Sequence, residues 1–354
     1  MSIQTPESFI ISFSSRAIPN TLALPCVADS AFILDDESFL PALQSSLKPG
    51  QSYKVIGSAS NLVLPEHLHD RVILVALKGI EVVKEDGASI LVAVAAGQLW
   101  HEWVETALAA GWHGLENLAL IPGTVGAAPV QNVGAYGVEV SEIIDHVRVW
   151  DFEQGAIRHL SALDCQFAYR DSLFKQPQAR HLLILTVCFR LAKRQVWQPT
   201  VNYPDLKSLV QDSDVNGDVM NSGNITPQMV FDRVVAVRRH KLPDPKEIPN
   251  VGSFFKNPVV TQATLESLKH HHPELVAYAQ PDGRHKLAAG WLIDQCGWKG
   301  QMMGAVGMHH RQSLVLINVN AGRLADVMAL ANAVQTDVFE AFGVALEIEP
   351  SCWV

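Results

Sequence analysis

Short apolar runs predict strands over residues 53–56 and 62–64, joined by the small-residue turn Gly57-Ser58-Ala59-Ser60-Asn61. A strand follows this turn, which excludes the dinucleotide fingerprint, because that needs a helix after its glycines. Residues 72–83 and 89–95 read as further strands, and 99–110 as an amphipathic helix with Trp100, Trp103, Val104, Ala107 and Leu108 on one side. Strands are predicted again over 143–151, 156–160 and 181–191, whereas the polar, aperiodic stretch 212–223 reads as a linker or surface loop. The texture changes at Thr226-Pro227-Gln228, which caps a helix carrying Met229, Val230, Val234, Val235 and Val237 and opens a new domain. Helices beginning near Thr261 and Leu287, a strand over 314–319 and a helix over 325–342 follow. Residues 344–349 alternate strictly between apolar and acidic or small positions, the pattern of a half-buried strand. Helices and strands alternate irregularly, so the fold class is α+β.

One stretch fits neither period. Residues 114–139 are apolar yet interrupted by Gly123, Gly126, Gly134 and Gly137. Glycine removes the side chain where backbone turns sharply or a ligand comes close, and the neighbours are too apolar for a solvated linker. This is the pattern of a buried loop against a ligand, whose backbone N–H groups need acceptors such as those of a phosphate-bearing cofactor.

The chain has 354 residues, long enough for two or three domains. A net charge of −9 without any basic run argues against nucleic acid and anionic membranes as partners. No apolar run approaches a membrane span, and a cytoplasmic, monomeric protein is expected. The five cysteines are scattered without paired spacing, so buried free thiols are expected and neither a disulfide framework nor a zinc site. His270-His271-His272 would point in different directions on a helix and reads as an exposed helix end, so no metal site is assigned.

Five segments in order resemble the UDP-N-acetylenolpyruvoylglucosamine reductase (MurB) family: Gly57 to Asn61, the loop 114–139, Phe167-Ala168-Tyr169-Arg170-Asp171-Ser172, Lys241 to Pro245 with Gly252 to Pro258, and Lys286 to Asp294. Tyr203, in Asn202-Tyr203-Pro204-Asp205, resembles the tyrosine loop of the family's first structural type. The resemblance implies non-covalent FAD in two lobes of the vanillyl-alcohol-oxidase (PCMH-like) type, residues 1–76 joined by a C-terminal strand 343–354, and residues 77–225. A substrate-binding α+β domain follows over 226–342. It also implies NADPH as reductant and UDP-N-acetylglucosamine enolpyruvate as the substrate reduced to UDP-N-acetylmuramate in peptidoglycan precursor synthesis.

By the same resemblance the flavin is held by Gly57, Ser58, Ala59, Ser60, Asn61, Pro122, Gly123, Thr124, Gly126, Ala127, Gln131, Asn132, Gly134, Ala135 and Tyr136. The UDP-sugar falls to Tyr169, Tyr203, Arg238, Lys241, Asn257, Tyr278, Lys286 and Gln312, in a domain where Lys256 and Lys299 read as solvated lysines. Reducing an enol ether that bears a carboxylate requires donors aimed in advance at oxygens that resist further charge. Arg170 offers a rigid, permanent cation, and Glu349 resembles the family's acid, while Ser253 resembles its proton donor. Bland alternatives stand beside each role: a salt bridge to Asp171 or Asp164 for Arg170, a Gly-Ser turn for Ser253, and a solvent-facing strand position for Glu349.

Two positions depart from the family pattern. Ala59 stands where the flavin loop has a second glycine, and Pro350-Ser351-Cys352 follows Glu349 in place of valine and arginine. Two further readings compete: another FAD oxidoreductase of the same fold, and a nucleotide-sugar-binding homologue with impaired catalysis. No histidine lies within 57–61, which disfavours covalent flavin.

Overall fold

The computed structural model describes residues 11–47, 51–211 and 225–353. The predicted linker 212–223 lies outside them. Two compact units emerge. One comprises the segment ending at Arg16, Ala28–Ser58 and Leu68–Arg238, and the other Ala17–Val27, Ala59–His67 and Arg239–Val354.

The first unit contains a four-stranded sheet in the order Ser14–Ala17, Val27–Leu34, His67–Val75, Tyr53–Ile56. Its last two strands run parallel, with Tyr53 opposite Arg71 and Ile56 opposite Leu74. A larger antiparallel sheet has the order Ala156–Ser161, Ile144–Asp151, Leu182–Lys193, Ser89–Ala95, Ile80–Glu85, with Trp112–His113 on the end of Leu182–Lys193. The helix Trp100–Ala109 sets Trp100, Trp103, Val104 and Ala107 into the core, where the ring of Trp103 lies 5.6 Å from that of Phe189. Those spacings put four side chains on one helical face, and each fully buried large side chain contributes about 1.5–3 kcal/mol. Leu108, expected on this face, is only half-buried.

The predicted strand over 72–83 is two strands, His67–Val75 and Ile80–Glu85. Gly79, at φ 142, allows the break. Apolar continuity through Ala76 and Leu77 hid it, because Leu77 is buried in the turn itself.

In the second unit an antiparallel sheet has the order Asn250–Ser253, Val315–Asn318, Val306–Met308, Met302–Met303, and a three-stranded one has Val259–Val260, His285–Leu287, Ala277–Ala279. The helix Leu324–Phe342 buries Val327, Leu330, Ala331, Val334 and Val338 at helical spacing and stops at Gly343, whose φ of 64 provides a left-handed cap. Asn318 Nδ2 donates to Leu22 O (2.9 Å) and Asn250 N to Thr21 O (2.8 Å), which fastens the early segment 17–27 to this unit. A short strand, Ser351–Cys352, runs parallel to Leu62–Val63.

The alternating stretch 344–349 is not a ladder strand. Val344 and Leu346 are buried and Glu347 is exposed as the pattern requires, but the phase slips at Ile348 and Glu349 turns inward, only 9% exposed. Its pairing is confined to a bridge between Ile348 and Phe255. The capping reading at Thr226 holds, since Met229 N donates to Thr226 Oγ1 (3.2 Å) at the start of Pro227–Lys241. His270 and His271 end the helix Gln262–His271, both exposed. The five cysteines are free thiols; Cys26, Cys165 and Cys188 are buried, and burial pushes them up to about 11, 12 and 11. Among the described residues no helix is long and apolar enough to cross a membrane, and no cluster of His, Cys, Asp and Glu could hold a metal.

Candidate functional site

The glycine-rich loop begins where backbones touch. Trp100 N donates to Gly123 O (3.0 Å), Val125 N to Gln98 O (2.9 Å) and Gly126 N to Ala96 O (2.8 Å). A Cβ on Gly126 would lie 2.6 Å from that of Ala96, and one on Gly57 would lie 2.4 Å from Thr124 Oγ1, so both glycines permit close approach. Further on, Gly134–Ala135 pairs with Val138–Glu139. The hairpin turns through Tyr136 (φ 50) and Gly137 (φ 85), both positive as in a type I′ turn.

Ser58 Oγ, in the first small-residue turn, is buried with no hydrogen-bond partner among the described residues. A buried hydroxyl left unpaired costs about 1–3 kcal/mol, so it calls for an outside acceptor. Beside a glycine turn packed this closely, the unpaired hydroxyl fits a phosphate-bearing cofactor such as FAD.

Ala59 adopts φ 50 and is 5% exposed. The left-handed conformation costs alanine about 1–2 kcal/mol. Glycine would relieve this, yet lose about 0.4–1 kcal/mol through unfolded-chain entropy and about 0.8 kcal/mol of methyl burial. Ala59→Gly is therefore expected to change stability by less than about 1 kcal/mol. Ala59→Val, which forces a β-branched residue into the same region, is expected to cost about 1–3 kcal/mol. Chemical denaturation midpoints of the two variants check both values.

Arg170 sits on a four-residue turn closed by reciprocal backbone bonds between Ala168 and Asp171 (3.0 and 3.2 Å), and has φ 53. Its Nη2 donates to Gly134 O (3.0 Å), and its guanidinium lies 5.6 Å from the Tyr169 ring centroid. The aspartates named as alternative partners hold other groups: Asp164 accepts from Ser161 N and Oγ, and Asp171 from Ser172 N and Gln176 Nε2. Tyr136 and Tyr203 meet edge to face at 5.3 Å. Arg238 bonds the Tyr136 hydroxyl; burial pulls its guanidinium below the ordinary value, and the tyrosine opposes this. Burial likewise pushes the Tyr136 phenol up.

In the other unit, Gly252 has φ 73, a conformation that favours glycine, and its N–H is held by Asn250 Oδ1 (2.9 Å). The register of Asn250–Ser253 on Val315–Asn318 shifts there, a bulge that re-aims Ser253. Glu349 N donates to Phe254 O (2.9 Å), which brings the chain at Glu349 beside Ser253. Tyr278 and Lys286 are directly opposed across two strands. Asn257 Oδ1 accepts from Ala289 N (2.9 Å), and Gln312 Oε1 lies against Gly290, so both stand at the start of Ala289–Gln295. Lys241 ends its helix, exposed. Lys256 is not a solvated lysine: its side chain is 16% exposed and paired with Glu347. Lys299 pairs with Asp294 at 3.1 Å. Both pairings offset the positive charge of these two lysines.

Some groups escaped the sequence reading. Asn117, 3% exposed, donates to Tyr136 O (2.9 Å) and Thr200 O (2.8 Å), joining the glycine-rich loop to the chain that leads to Tyr203. Beside it the buried His113 Nδ1 and Glu116 Oε1 stand 3.2 Å apart. Polar residues within the apolar run Gly114-Leu115-Glu116-Asn117-Leu118 were the available signal, since buried polar groups are there to be paired. Asn132, assigned to the flavin, is 1% exposed and its side chain bonds within the protein.

The loop geometry and the unpaired Ser58 fit a flavin-binding oxidoreductase, and residues 37–161 match the FAD binding domain model. Residues 244–353 match the model of the UDP-N-acetylenolpyruvoylglucosamine reductase C-terminal domain. The chain belongs to the UDP-N-acetylenolpyruvoylglucosamine reductase family. It is 47% identical to the reductase of Paraburkholderia xenovorans over 99% of this chain and 100% of that one. With the reductase of Paraburkholderia phymatum it shares 50% identity over 98% and 99% of the two chains. The crystal structure of the Thermus caldophilus enzyme has the same fold, with a TM-score of 0.66 at 23% identity over 98% of this chain and 100% of that one.

Proposed function

We propose that this chain reduces the enolpyruvyl ether of UDP-N-acetylglucosamine enolpyruvate to the lactyl ether of UDP-N-acetylmuramate, in the cytoplasm, with NADPH as reductant. The observation that carries the reading is the backbone bond from Glu349 N to Phe254 O, which sets Glu349 beside the end of the bulged strand that carries Ser253, nearly a hundred residues away in sequence. Bound FAD would supply two-electron chemistry between NADPH and the enol ether. Gly57 to Asn61, Pro122, Gly123, Thr124, Gly126, Ala127, Gln131 and Gly134 to Tyr136 would hold it, with the Ser58 hydroxyl as one donor. In our reading residues 1–76 with 343–354, and 77–225, form the two flavin lobes, and 226–342 the substrate domain.

The remaining roles belong to side chains. Arg170 binds the substrate carboxylate through its planar guanidinium fork. Glu349, in its protonated form, donates to the same group as negative charge spreads into it. Ser253 gives the proton to the carbon next to the carboxylate. Lys241, Lys286, Tyr203, Tyr278, Asn257, Gln312, Tyr169 and Arg238 hold the nucleotide sugar.

Two measurements test this. The purified protein should show flavin absorbance, and NADPH oxidation should accelerate when the enolpyruvyl sugar is added; a colourless protein that cannot take up FAD overturns the reading. Lys241→Ala should raise the substrate dissociation constant about 10- to 100-fold, the loss of a charged hydrogen bond, and Tyr203→Phe by up to about tenfold. The turnover rate at saturation should change less in both. Titration of the flavin spectrum measures the constants, and unchanged values would remove these residues from the nucleotide site.

A further inference from the structure

We infer that Asn132, together with Glu139, is the positioning residue that sets Arg170, and that its side chain does not hold the cofactor. The inference rests on the role proposed above for Arg170. Asn132 Nδ2 donates to Glu139 Oε2 (2.7 Å) and to Ala168 O (3.2 Å), and its Oδ1 accepts from Ser141 N (3.0 Å). Both amide hydrogens are thereby occupied inside the protein, and the residue is 1% exposed.

The contacts close a ring. From Asn132 the path runs to Ala168, whose two backbone bonds with Asp171 fix the turn bearing Arg170. Arg170 Nη2 reaches back to Gly134 O, and Gly134 is paired in register with Glu139, which accepts from Asn132. The space above Gly134 is filled: a Cβ there would lie 3.0 Å from Glu139 Cγ and 3.3 Å from Arg170 Nη1. Ser172 Oγ pins the far side of the turn to Val130 O at 2.6 Å. A left-handed, non-glycine Arg170 is a strained conformation that its surroundings must impose, and Asn132 ties the turn, through Ala168, to Glu139 of the glycine-rich hairpin.

The test uses the FAD-bound protein and rapid-reaction kinetics. Asn132→Asp keeps the shape but removes both donors. It should slow reoxidation of the reduced flavin by the enolpyruvyl sugar about a hundredfold, the cost of a misplacement near 1 Å. FAD content and flavin reduction by NADPH should stay within about twofold, because those bonds do not involve the cofactor. Peptide-level hydrogen exchange over residues 167–172 should accelerate. In an Arg170→Ala background the same substitution should cause no further slowing, since groups that act through one another are not additive. Loss of FAD with normal reoxidation in the fraction that retains it would overturn the inference, as would additive effects in the double variant. If Arg170→Ala alone leaves reoxidation unchanged, the role proposed for Arg170 fails and this inference with it. Should Asn132→Asp not fold, Glu139→Ala, which removes the acceptor of the Asn132 bond and so breaks the ring from the other side, should slow reoxidation about tenfold and retain FAD; unchanged reoxidation in that variant refutes the ring.

Discussion

Ser253→Ala is expected to leave hydride transfer from NADPH to flavin intact and to slow reoxidation of the reduced flavin by the enolpyruvyl sugar about 10²- to 10⁴-fold, the range of a positioned general acid. The expectation follows from where the residue sits. The strand Asn250–Ser253 is bent by Gly252 at φ 73 and by a register shift, and the Asn250 side chain holds that bend through Gly252 N, Pro243 O and Ile248 O. Such a device has little purpose in an ordinary turn ahead of a strand. Removing the hydroxyl should leave the bend untouched, so the loss should fall on proton delivery alone. Stopped-flow traces in which both half-reactions match the parent protein would take Ser253 out of the mechanism.

Glu349 gives the second large effect. Glu349→Ala should slow flavin reoxidation by substrate about 10²- to 10³-fold, as for the loss of one donor to developing charge. Glu349→Gln keeps an N–H donor at the same place and should retain clearly more activity. The solvent-facing alternative predicted that both substitutions are silent, but the inward turn at Ile348 and the 9% exposure of Glu349 argue against it. Glu347→Ala is the control: it removes an ion pair with Lys256 that is exposed on the carboxylate side, worth about 0–1 kcal/mol, and should hardly alter the rate. Equal reoxidation rates in all three variants would return Glu349 to a structural part and leave Arg170 as the sole stabiliser of the carboxylate.

The legible parts of the fold are those written in local pattern. Trp100, Trp103, Val104 and Ala107 mark their helix by spacing, Thr226 and Pro227 mark a helix start, and the glycines of 114–139 mark close backbone approach. What local pattern cannot carry is a change of phase or a long-range partner. Residues 72–83 read as one strand because the turn at Ala76 and Leu77 is as apolar as its flanks, and the outward alternative for Glu349 arose because a slip at Ile348 leaves no mark in the alternation. Asn132 lies in a loop whose glycines suggest a ligand, and only the positions of Ala168 and Glu139 reveal that its amide faces protein. Ala59 is the reverse case: it stands where the family pattern has glycine, and the backbone there adopts a positive φ of 50°.

The pairing of Ser351–Cys352 with Leu62–Val63 bears on how the chain is made. Residues 17–27 and 59–67 leave the ribosome early, but the core that receives Leu22, Leu24 and Val63 is built from residues synthesised at the other end of the message. At about 5–20 residues per second these early segments wait on the order of tens of seconds with their apolar side chains uncovered. During that interval the unit that ends the chain cannot nucleate on its own beginning, and closing so long a loop is intrinsically slow. The native cover of Leu22, Leu24 and Val63 is therefore completed only when translation is nearly over.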